Sequence, residues 1–273
     1  MAFDFLQLDK KRIVVFGVAN KKSVAYFIGK TLIDAGCRVD FVVRSDARHD
    51  QVGKLFPNSS IYVCDVEDQS QIERVALAIG SSGKIDGLVH SIAFADYEGG
   101  MKPFHLTGRR QFLRTLDISC FSLIAIANAF SQHFNHDASV VTVSISTTKM
   151  ASENYGFMAP IKAALDSSIV FLNKSFSNFS NVRFNAVAPG LLKTSASAGI
   201  PGYVDAYLYA EQIIPRRRAV QTQEAADVAC FLLSPRSSGI VAQSIVVDAG
   251  MAINYFDQKI IDKVMEIPKQ DQE

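Results

Sequence analysis

Short runs of β-branched and aliphatic residues recur along this chain of 273 residues, and longer segments with the spacing of amphipathic helices separate them. Each run is nearly continuous in apolar residues, which is typical of strands buried on both faces of a sheet. The runs predict seven strands, at Arg12–Phe16, Arg38–Val43, Ile61–Val63, Gly87–Ser91, Val140–Ser144, Val182–Val187 and Ile245–Val247. The segments between them predict helices at Ser23–Ala35, Gln69–Ile79, Arg109–Phe134, Ile161–Asn178 and Gln223–Leu233.

The alternation of strands and helices predicts the fold class. It favours an α/β protein with a single-domain, Rossmann-type, doubly wound parallel sheet and helices on both faces. No repeat, linker or boundary divides the chain, so we expect one domain over residues 1–273. Residues 190–209, rich in Ser, Ala, Gly and Pro and then in Tyr, follow a strand as a long segment that we expect to act as a lid.

Two helix ends carry recognisable signals. Gly36 follows the first predicted helix, as glycine does at many helix C-termini. Thr222 is the expected N-cap of the last predicted helix, with Glu224 in its first turn. Because Ala225 stands third after Thr222, we expect no full capping box there.

Charge and cysteine content exclude several classes of protein. The 28 Lys and Arg residues nearly balance the 27 Asp and Glu residues and are scattered, with one run of three at 216–218, so we expect no nucleic-acid partner. No apolar stretch approaches the roughly 18 residues of a membrane span, and no signal segment opens the chain. We expect a cytoplasmic protein with no metal site and four reduced, buried thiols, at Cys37, Cys64, Cys120 and Cys230.

The turn after the first predicted strand is a candidate dinucleotide site. Gly17 lies between that strand and the helix at Ser23, where backbone N–H groups can bind a pyrophosphate. The usual G-x-G-x-x-G pattern is absent, so an ordinary turn explains the glycine equally well.

The end of the second predicted strand bears on the choice of cofactor. An acidic residue there would hold the ribose of NAD, whereas an arginine would hold the 2′-phosphate of NADP. Arg44 therefore favours NADPH over NADH, with a solvated charge as the alternative, and Ser45 and Arg48 follow it. Asp40 is the rival acid, but it lies inside the strand and faces a helix layer.

Two further strand ends suit a nucleotide. Asp65 and Val66 follow the third predicted strand, where the carboxylate can accept a hydrogen bond from an adenine amino group. Small residues at 91–95 would let the backbone lie against a ribose, which makes Ser91 and Ala93 candidates for cofactor binding. His90 precedes them and is interpreted as a packed core residue rather than a catalytic one.

Tyr155 and Lys162 form the candidate catalytic pair. Seven residues of helix turn by about 700°, so the two would share a helix face, and Pro160 between them suits only a first turn. A nearby ammonium strengthens a phenol as a hydrogen-bond donor. The spacing alone also occurs by chance in many helices.

Taken together, these segments resemble the enoyl-acyl carrier protein reductases, a branch of the short-chain dehydrogenase/reductase superfamily. The Gly-x5-Ser loop and the Tyr-x6-Lys spacing, with Ala159 where a Tyr-x3-Lys pair would need its lysine, separate this branch from ordinary ketoreductases. The resemblance covers almost the whole chain and rests on Gly17-x5-Ser23-Val24-Ala25, Cys64-Asp65-Val66, the segment 90–95, Asp117-Ile118-Ser119, Asn154-Tyr155-x6-Lys162-Ala163, Lys193-Thr194, Ala198-Gly199-Ile200, Pro215-x-Arg217 and Val247-Asp248-x-Gly250.

The resemblance implies a role for each candidate residue. Tyr155 would donate to the thioester oxygen while a hydride from NADPH or NADH reaches the β-carbon of a trans-2-enoyl thioester, and Lys162 would position the cofactor and support the phenol. The other implied cofactor contacts are Gly17, Ser23 and Val24 at the pyrophosphate and ribose, Asp65 and Val66 at the adenine, Ile92 at the nicotinamide ribose, and Leu192, Thr194 and Ala196 beside the nicotinamide and phosphates. The implied substrate contacts are Ala95, Ile145, Met158 and Tyr203, with residues 190–209 as the substrate-binding loop.

The resemblance also implies a homotetramer that acts on enoyl thioesters of acyl carrier protein or coenzyme A in fatty acid synthesis. One departure concerns Ile145, because many members have a second aromatic residue, often Tyr, ten positions before the catalytic Tyr. Isoleucine donates no hydrogen bond, although Ser144, Ser146 and Thr147 could offer a replacement hydroxyl. A reductase of the same fold with another carbonyl or conjugated substrate is therefore the second hypothesis, and a non-catalytic cofactor-binding protein is the third.

Overall fold

A computed structural model describes residues 4–98, 100, 102–151, 156–194, 197, 200 and 202–266. The strands are β1 (Arg12–Phe16), β2 (Arg38–Val43), β3 (Ile61–Val63), β4 (Ile85–His90), β5 (Phe134–Val143), β6 (Arg183–Pro189) and β7 (Ser244–Val247). The helices are α1 (Val24–Asp34), α2 (Asp46–Leu55), α3 (Gln69–Gly80), α4 (Arg109–Leu116), α5 (Ser122–Phe130), α6 (Met158–Phe176), α7 (Tyr203–Ile213), α8 (Thr222–Leu233) and α9 (Gln258–Met265). A π-helical turn, Asp117–Phe121, joins α4 to α5.

The strands form one parallel sheet in the order β3-β2-β1-β4-β5-β6-β7. The order reverses between β1 and β4, so the loops that follow these two strands diverge to opposite sides of the sheet. Alternating strand residues feed two cores: Val14 and Val140 lie with α3, α5 and α6, while Val15 and Val141 lie with α1 and α8. The predicted fold class, a doubly wound parallel sheet with helices on both faces, is confirmed.

Strand bounds agree best in the first part of the chain. The predicted bounds of β1, β2 and β3 match those observed. The predicted helix Arg109–Phe134 is wrong at its end, because α5 stops at Phe130 and Phe134 already pairs with Ile85 as the start of β5. The register shifts between Ile85 and Gly87, so this first pairing lies outside the regular alternation that marks a strand.

Two helices, α2 and α9, are absent from the sequence prediction. Val52 alone among the α2 residues is buried, and none of the described α9 residues is buried. The α2 sequence lacks the apolar stripe on which the prediction of the others rests, whereas α9 has one, at Ile260, Ile261, Val264 and Met265, that the described chain leaves at least partly exposed. The Tyr-rich piece within residues 190–209 forms the start of α7.

The helix ends confirm one prediction and correct another. Gly36 has φ +85 after α1, and the N–H of Cys37 donates to the carbonyl of Leu32, which closes a Schellman motif. The N-cap of α8 is Gln221 rather than Thr222, and Gln221 with Glu224 does form a capping box. The cap lies one residue earlier than expected because a glutamine side chain performs a role that sequence rules assign to shorter polar residues.

The α4–α5 region corrects the expectation about apolar length. Arg109–Ala129 is one helical stretch of 21 residues that contains an 18-residue window of mean hydropathy 1.4, which meets the length and composition of a membrane span. Half of that window is buried inside the protein, as is usual for the core helix of a globular domain, so length and composition alone carry little weight. The absence of a membrane partner stays a prediction.

Gly87 and Gly53 should respond in opposite directions to replacement by alanine. A Cβ atom at Gly87 in β4 would lie 2.9 Å from the Ser139 carbonyl oxygen, whereas one at Gly53 in α2 would meet only Ile61 at 3.7 Å. We expect Gly87→Ala to lower the free energy of unfolding by about 2 kcal/mol and Gly53→Ala to raise it by about 0.5–1 kcal/mol. Urea denaturation measures both, and changes of the same sign would contradict the packing described for β4.

Candidate active site

Two adjoining cavities open at the carboxyl ends of the strands. The first, of about 460 Å³, lies over the ends of β1, β2 and β3. The second, of about 470 Å³, lies over β1, β4, β5 and the loop after β6. They share a wall made of Gly17, Ala19, Ser91, Ile92, Ala93 and Phe94.

The described residues that the sequence predicts as cofactor or substrate contacts all line one of these cavities. The first takes Arg44, Asp65 and Val66, together with the shared Gly17, Ser91, Ile92 and Ala93. The second adds Ser23, Val24, Ala95, Ile145, Met158, Lys162, Leu192, Thr194 and Tyr203. Tyr155 and Ala196 lie outside the described residues.

Gly17 brings the loops after β1 and β4 into direct contact. Its φ is +95, and a Cβ atom there would lie 2.1 Å from the carbonyl oxygen of Ser91. Only glycine combines this backbone conformation with this approach. The glycine is therefore a structural requirement of the wall that both cavities share.

The turn into α1 presents a helix N-terminus to the cavities. The Ser23 hydroxyl donates to the Asn20 carbonyl at 2.8 Å and accepts from the Ala19 N–H at 3.4 Å, so it shapes the turn. Val24 is the first residue of α1 and lines the second cavity beside Ser23. Backbone N–H groups at such a helix start favour an anionic ligand, so the turn fits the pyrophosphate of a dinucleotide.

Two arginines follow β2: one is exposed, and the guanidinium of the other already makes hydrogen bonds within the protein. Arg44 is exposed at the rim of the first cavity. Arg48 donates to the Ala19 carbonyl at 2.9 Å and to Gln51 at 2.7 Å. Asp40 is buried and pairs with Arg12 at 2.7 Å, which removes it as a ribose acceptor.

An arginine that sequence reasoning missed closes the adenine side of the first cavity. Arg114 on α4 binds both carboxylate oxygens of Glu67, at 2.9 and 3.1 Å, and its guanidinium lies 4.8 Å from the centre of the Phe94 ring. All three residues line the first cavity. The partners are 47 positions apart in the chain, and no local pattern signals a pair at that separation.

The interpretation of His90 as a core residue agrees with its place in the structure. The ring is fully buried, with Nδ1 2.8 Å from Thr142 Oγ1 and Nε2 2.9 Å from Ser122 Oγ. Burial, and then the nearby Lys162, lower the pKa of His90 to about 3, so the ring is neutral at physiological pH. Its role is to tie the end of β4 to β5 and α5.

The π turn fixes the loop that follows β4. The Ser119 hydroxyl accepts from the N–H of Phe94 at 2.9 Å and donates to its carbonyl at 2.8 Å. One turn earlier, Thr115 Oγ1 accepts from the N–H of Asp96 at 3.0 Å. Single π turns are frequent at functional sites, and this one places two hydroxyls against the loop that carries the shared wall.

Lys162 lies at the junction of β5, α6 and the β4 loop. Its side chain is buried and donates to the Val143 carbonyl at 2.7 Å and to the Ile92 carbonyl at 3.3 Å. Burial lowers the pKa of Lys162 to about 8. An ammonium has three hydrogens, and these two bonds leave the third for a group in the second cavity.

The segment after β6 is tied to α7 by one tyrosine. The Tyr203 hydroxyl accepts from the N–H of Leu192 at 2.8 Å and donates to its carbonyl at 2.9 Å. Ser197 accepts from the N–H of Thr194 at 2.9 Å. The described part of residues 190–209 is thus a structured wall of the second cavity.

Ile145 gives the second cavity a hydrocarbon side chain where many family members have an aromatic residue, often Tyr. Ile145 lines the second cavity beside Met158. The hydroxyl oxygens of Ser144 and Ser146 are buried, and of these two residues Ser144 lines the second cavity beside Ile145. Thr147 is not among the residues that line the two cavities.

A larger groove of about 830 Å³ lies at the opposite, amino end of the sheet. It includes Lys11, Asp86 and Arg183, and none of the predicted site residues. The buried guanidinium of Arg183 donates to four carbonyls, those of Leu232, Ser234, Ser237 and Ile240. These bonds satisfy the end of α8, so the arginine there has a structural role.

A Rossmann-type fold with a glycine cradle, a helix N-terminus and a buried lysine beside the cavity defines a dinucleotide-dependent reductase. The family model described as Enoyl-(Acyl carrier protein) reductase matches residues 17–252. The chain belongs to that family, as the sequence resemblance predicted.

Individual relatives agree with this assignment. The chain is 32% identical over 251 residues to the Staphylococcus aureus (strain MRSA252) enoyl-[acyl-carrier-protein] reductase [NADPH] FabI, covering 90% of this chain and 98% of the relative. It is 33% identical over 252 residues to the Bacillus subtilis (strain 168) enoyl-[acyl-carrier-protein] reductase [NADH] FabI, covering 90% and 97%. The crystal structure of enoyl-[acyl-carrier-protein] reductase (NADH) from Aquifex aeolicus VF5 superposes with a TM-score of 0.87 at 28% identity, covering 92% of this chain and 99% of that one.

Removing the Ser119 hydroxyl should weaken cofactor binding more than it weakens the fold. Ser119→Ala leaves the N–H and carbonyl of Phe94 without their partner, so the shared wall loosens. We expect the dissociation constant for NADPH or NADH to rise about 5-fold or more, equal to about 1 kcal/mol. Fluorescence titration of the reduced cofactor measures it, with Ser139→Ala as control because that buried hydroxyl donates to the Leu232 carbonyl and the residue lines neither cavity. Equal affinities for Ser119→Ala and the parent protein would contradict the role of the π turn.

Proposed function

We propose that this protein reduces the trans-2 double bond of an enoyl thioester, carried by acyl carrier protein or coenzyme A, in fatty acid elongation. The observation that carries the proposal is the second cavity, where Lys162 meets the Gly17 and Ile92 wall next to an apolar surface that includes Ile145 and Met158. Family membership supports the reaction type, and the apolar surface suits an acyl chain.

The cofactor is NADPH or NADH, and the residues present fit it. The cradle at Gly17 that a Cβ would fill, and the N–H groups at the start of α1, suit a pyrophosphate. Asp65 and Val66 would bind the adenine, and Ile92, Leu192 and Thr194 would lie along the nicotinamide half. When bound, the nicotinamide supplies the hydride that reaches the β-carbon of the substrate.

Tyr155 and Lys162 would stabilise the charge that this transfer creates. As the β-carbon gains a hydride, negative charge develops on the thioester oxygen, and the Tyr155 hydroxyl would donate a hydrogen bond to it. A donor aimed at developing charge is among the strongest contributions to catalysis. Lys162 would donate its third hydrogen to the cofactor ribose and favour the hydrogen-bonding strength of the phenol.

Arg44 supports NADPH as the preferred cofactor. Its exposed guanidinium stands at the rim of the first cavity, where a 2′-phosphate would extend from the adenosine ribose. Asp40, the alternative acid, is neutralised by Arg12. The relatives include one enzyme named for NADPH and one named for NADH, so family membership does not decide the cofactor. The preference for NADPH is inferred from this chain's own residues.

A homotetramer in the cytoplasm is part of the proposal. Large apolar side chains are exposed on the outer faces of the helical layer, including Phe171, with 73% of its surface exposed, Val170 on the same helix and Phe121 on the π turn. Burial of such side chains in subunit contacts would be favourable.

One observation favours a second candidate function. Ile145 places hydrocarbon where many members have an aromatic hydroxyl, and the hydroxyl oxygens of Ser144 and Ser146 are buried. A substrate whose carbonyl needs only one donor would tolerate this change. The second candidate is therefore reduction of another conjugated or carbonyl compound on the same fold.

Replacing Tyr155 tests the proposed reaction. We expect the parent protein to oxidise NADPH with crotonyl thioester but not with acetoacetyl thioester. Tyr155→Phe should lower kcat by about 100-fold or more, since a transition-state donor is lost, while the cofactor still binds. Absorbance of the reduced cofactor follows the reaction. Tyr255→Phe, at a fully exposed side chain, is the matched control. Turnover of acetoacetyl thioester alone would favour the second candidate, and unchanged turnover in Tyr155→Phe would contradict the mechanism.

Replacing Arg44 tests the cofactor preference. Arg44→Gln should raise the dissociation constant for NADPH about 10-fold, as expected for one charge-assisted contact, and leave that for NADH within about 2-fold. Arg74→Gln is the matched control, because Arg74 is exposed on α3 and lines neither cavity. Parallel losses for both cofactors would contradict a 2′-phosphate contact.

A further inference from the structure

The buried Lys162 ammonium depends on its surroundings to keep its charge. The side chain is only 2% exposed, and the two acceptors of its hydrogen bonds, the carbonyls of Val143 and Ile92, carry partial charges. Transfer of an ammonium into such a site disfavours the charged form. A full negative charge close by would offset that cost.

Asp166 supplies that charge from the same helix. It stands four residues after Lys162 on α6, so the two side chains share a helix face. Its carboxylate accepts from the Ser244 hydroxyl on β7 at 3.3 Å. The buried Ser144 hydroxyl at the end of β5 also favours the charged form of Asp166 without a hydrogen bond of normal geometry.

Burial and the neighbouring groups shift the pKa values of Lys162 and Asp166 in opposite directions. Burial lowers the pKa of Lys162 to about 8, and the negative charge of Asp166 is the largest opposing influence, ahead of Cys120 on the π turn. Burial raises the pKa of Asp166, while Ser144, Ser244 and Lys162 lower it. His90 faces Lys162 from β4 and is neutral, because its pKa lies near 3.

We propose that Asp166 is a positioning residue that holds Lys162 in its ammonium form at physiological pH and so sets the alkaline limit of cofactor binding. This inference rests on the proposed function, in which Lys162 donates to the cofactor ribose. Asp166 touches neither cavity, since it is not among the residues that line them. It acts through the charge of Lys162, and Ser244 holds its carboxylate in place.

The sign of the effect follows from the Coulomb interaction. A carboxylate stabilises the ammonium, so its removal allows Lys162 to lose its proton at lower pH. The neutral amine has two hydrogens instead of three, and both are needed by the carbonyls of Val143 and Ile92. Deprotonation would therefore remove the charge-assisted bond that the ammonium donates to the ribose and leave only the weaker bond that a ribose hydroxyl can donate to the neutral amine.

The test is a pH titration of cofactor affinity that does not depend on turnover. The dissociation constant for NADPH is measured from its fluorescence between about pH 7 and pH 9.5, where a 2′-phosphate is fully ionised. All variants carry Tyr155→Phe, so that the phenol does not titrate. We expect affinity to fall with a midpoint near the Lys162 pKa of about 8. Asp166→Asn should move the midpoint down by about 0.5–1 unit, the effect of removing one charge that lies one helical turn away.

Controls separate this effect from a general change of charge or structure. Asp227→Asn removes the same charge from an exposed position on α8 and should leave the midpoint in place. Asp166→Glu should restore most of the shift, and Lys162→Met should abolish the titration. Asp166→Ser replaces the carboxylate with a hydroxyl like those of the neighbouring Ser144 and Ser244. It is used if the Asp166→Asn variant does not fold.

Two results would overturn the inference: a midpoint that Asp166→Asn and Asp166→Ser leave unchanged, or an equal shift in Asp227→Asn. Failure of the proposed function is seen separately. If crotonyl thioester is not reduced by the parent protein, the reaction is wrong, whereas the titration still reports the charge of Lys162.

Discussion

The contact between Gly17 and Ser91 is the constraint on which the site depends. Parallel strands β1 and β4 end side by side where the strand order reverses, and their following loops must separate there. A missing Cβ at Gly17 lets the two loops meet at the Ser91 carbonyl instead of standing apart. The wall between the two cavities is therefore made of backbone at this point, which a flat ligand can approach closely.

A layer of buried polar groups supports that wall. His90 links β4 to β5 and α5, Ser119 holds Phe94, and Lys162 bonds to Ile92 within the same loop. Each group satisfies backbone or side-chain atoms that would otherwise be buried without partners. The bond by which Lys162 orders the loop also holds its ammonium at the second cavity.

Sequence reasoning predicted most of the fold and most of the cavity lining, for identifiable reasons. The first three strands are short apolar runs between clear turns, and Gly17, Asp65 and Ile92 occupy strand ends where this topology places ligands. Two contacts were not predicted, that of Arg114 with Glu67 and that of Ser119 with Phe94, because the two residues of each pair are distant in the chain and no periodicity marks them. The cap at Gln221 escaped because glutamine is an uncommon cap. The relation of Tyr155 to Lys162 stays a prediction from their spacing.

The most direct test of the proposed reaction is to follow the hydrogen atoms into the product. Crotonyl thioester is reduced with cofactor that carries deuterium at C4 of the nicotinamide, and the product is analysed by nuclear magnetic resonance. If the second cavity aligns an enoyl thioester as proposed, the cofactor's deuterium appears at the β-carbon and a solvent hydrogen at the α-carbon. Deuterium at the carbonyl carbon, or at neither position, would contradict the assignment of this site to enoyl reduction.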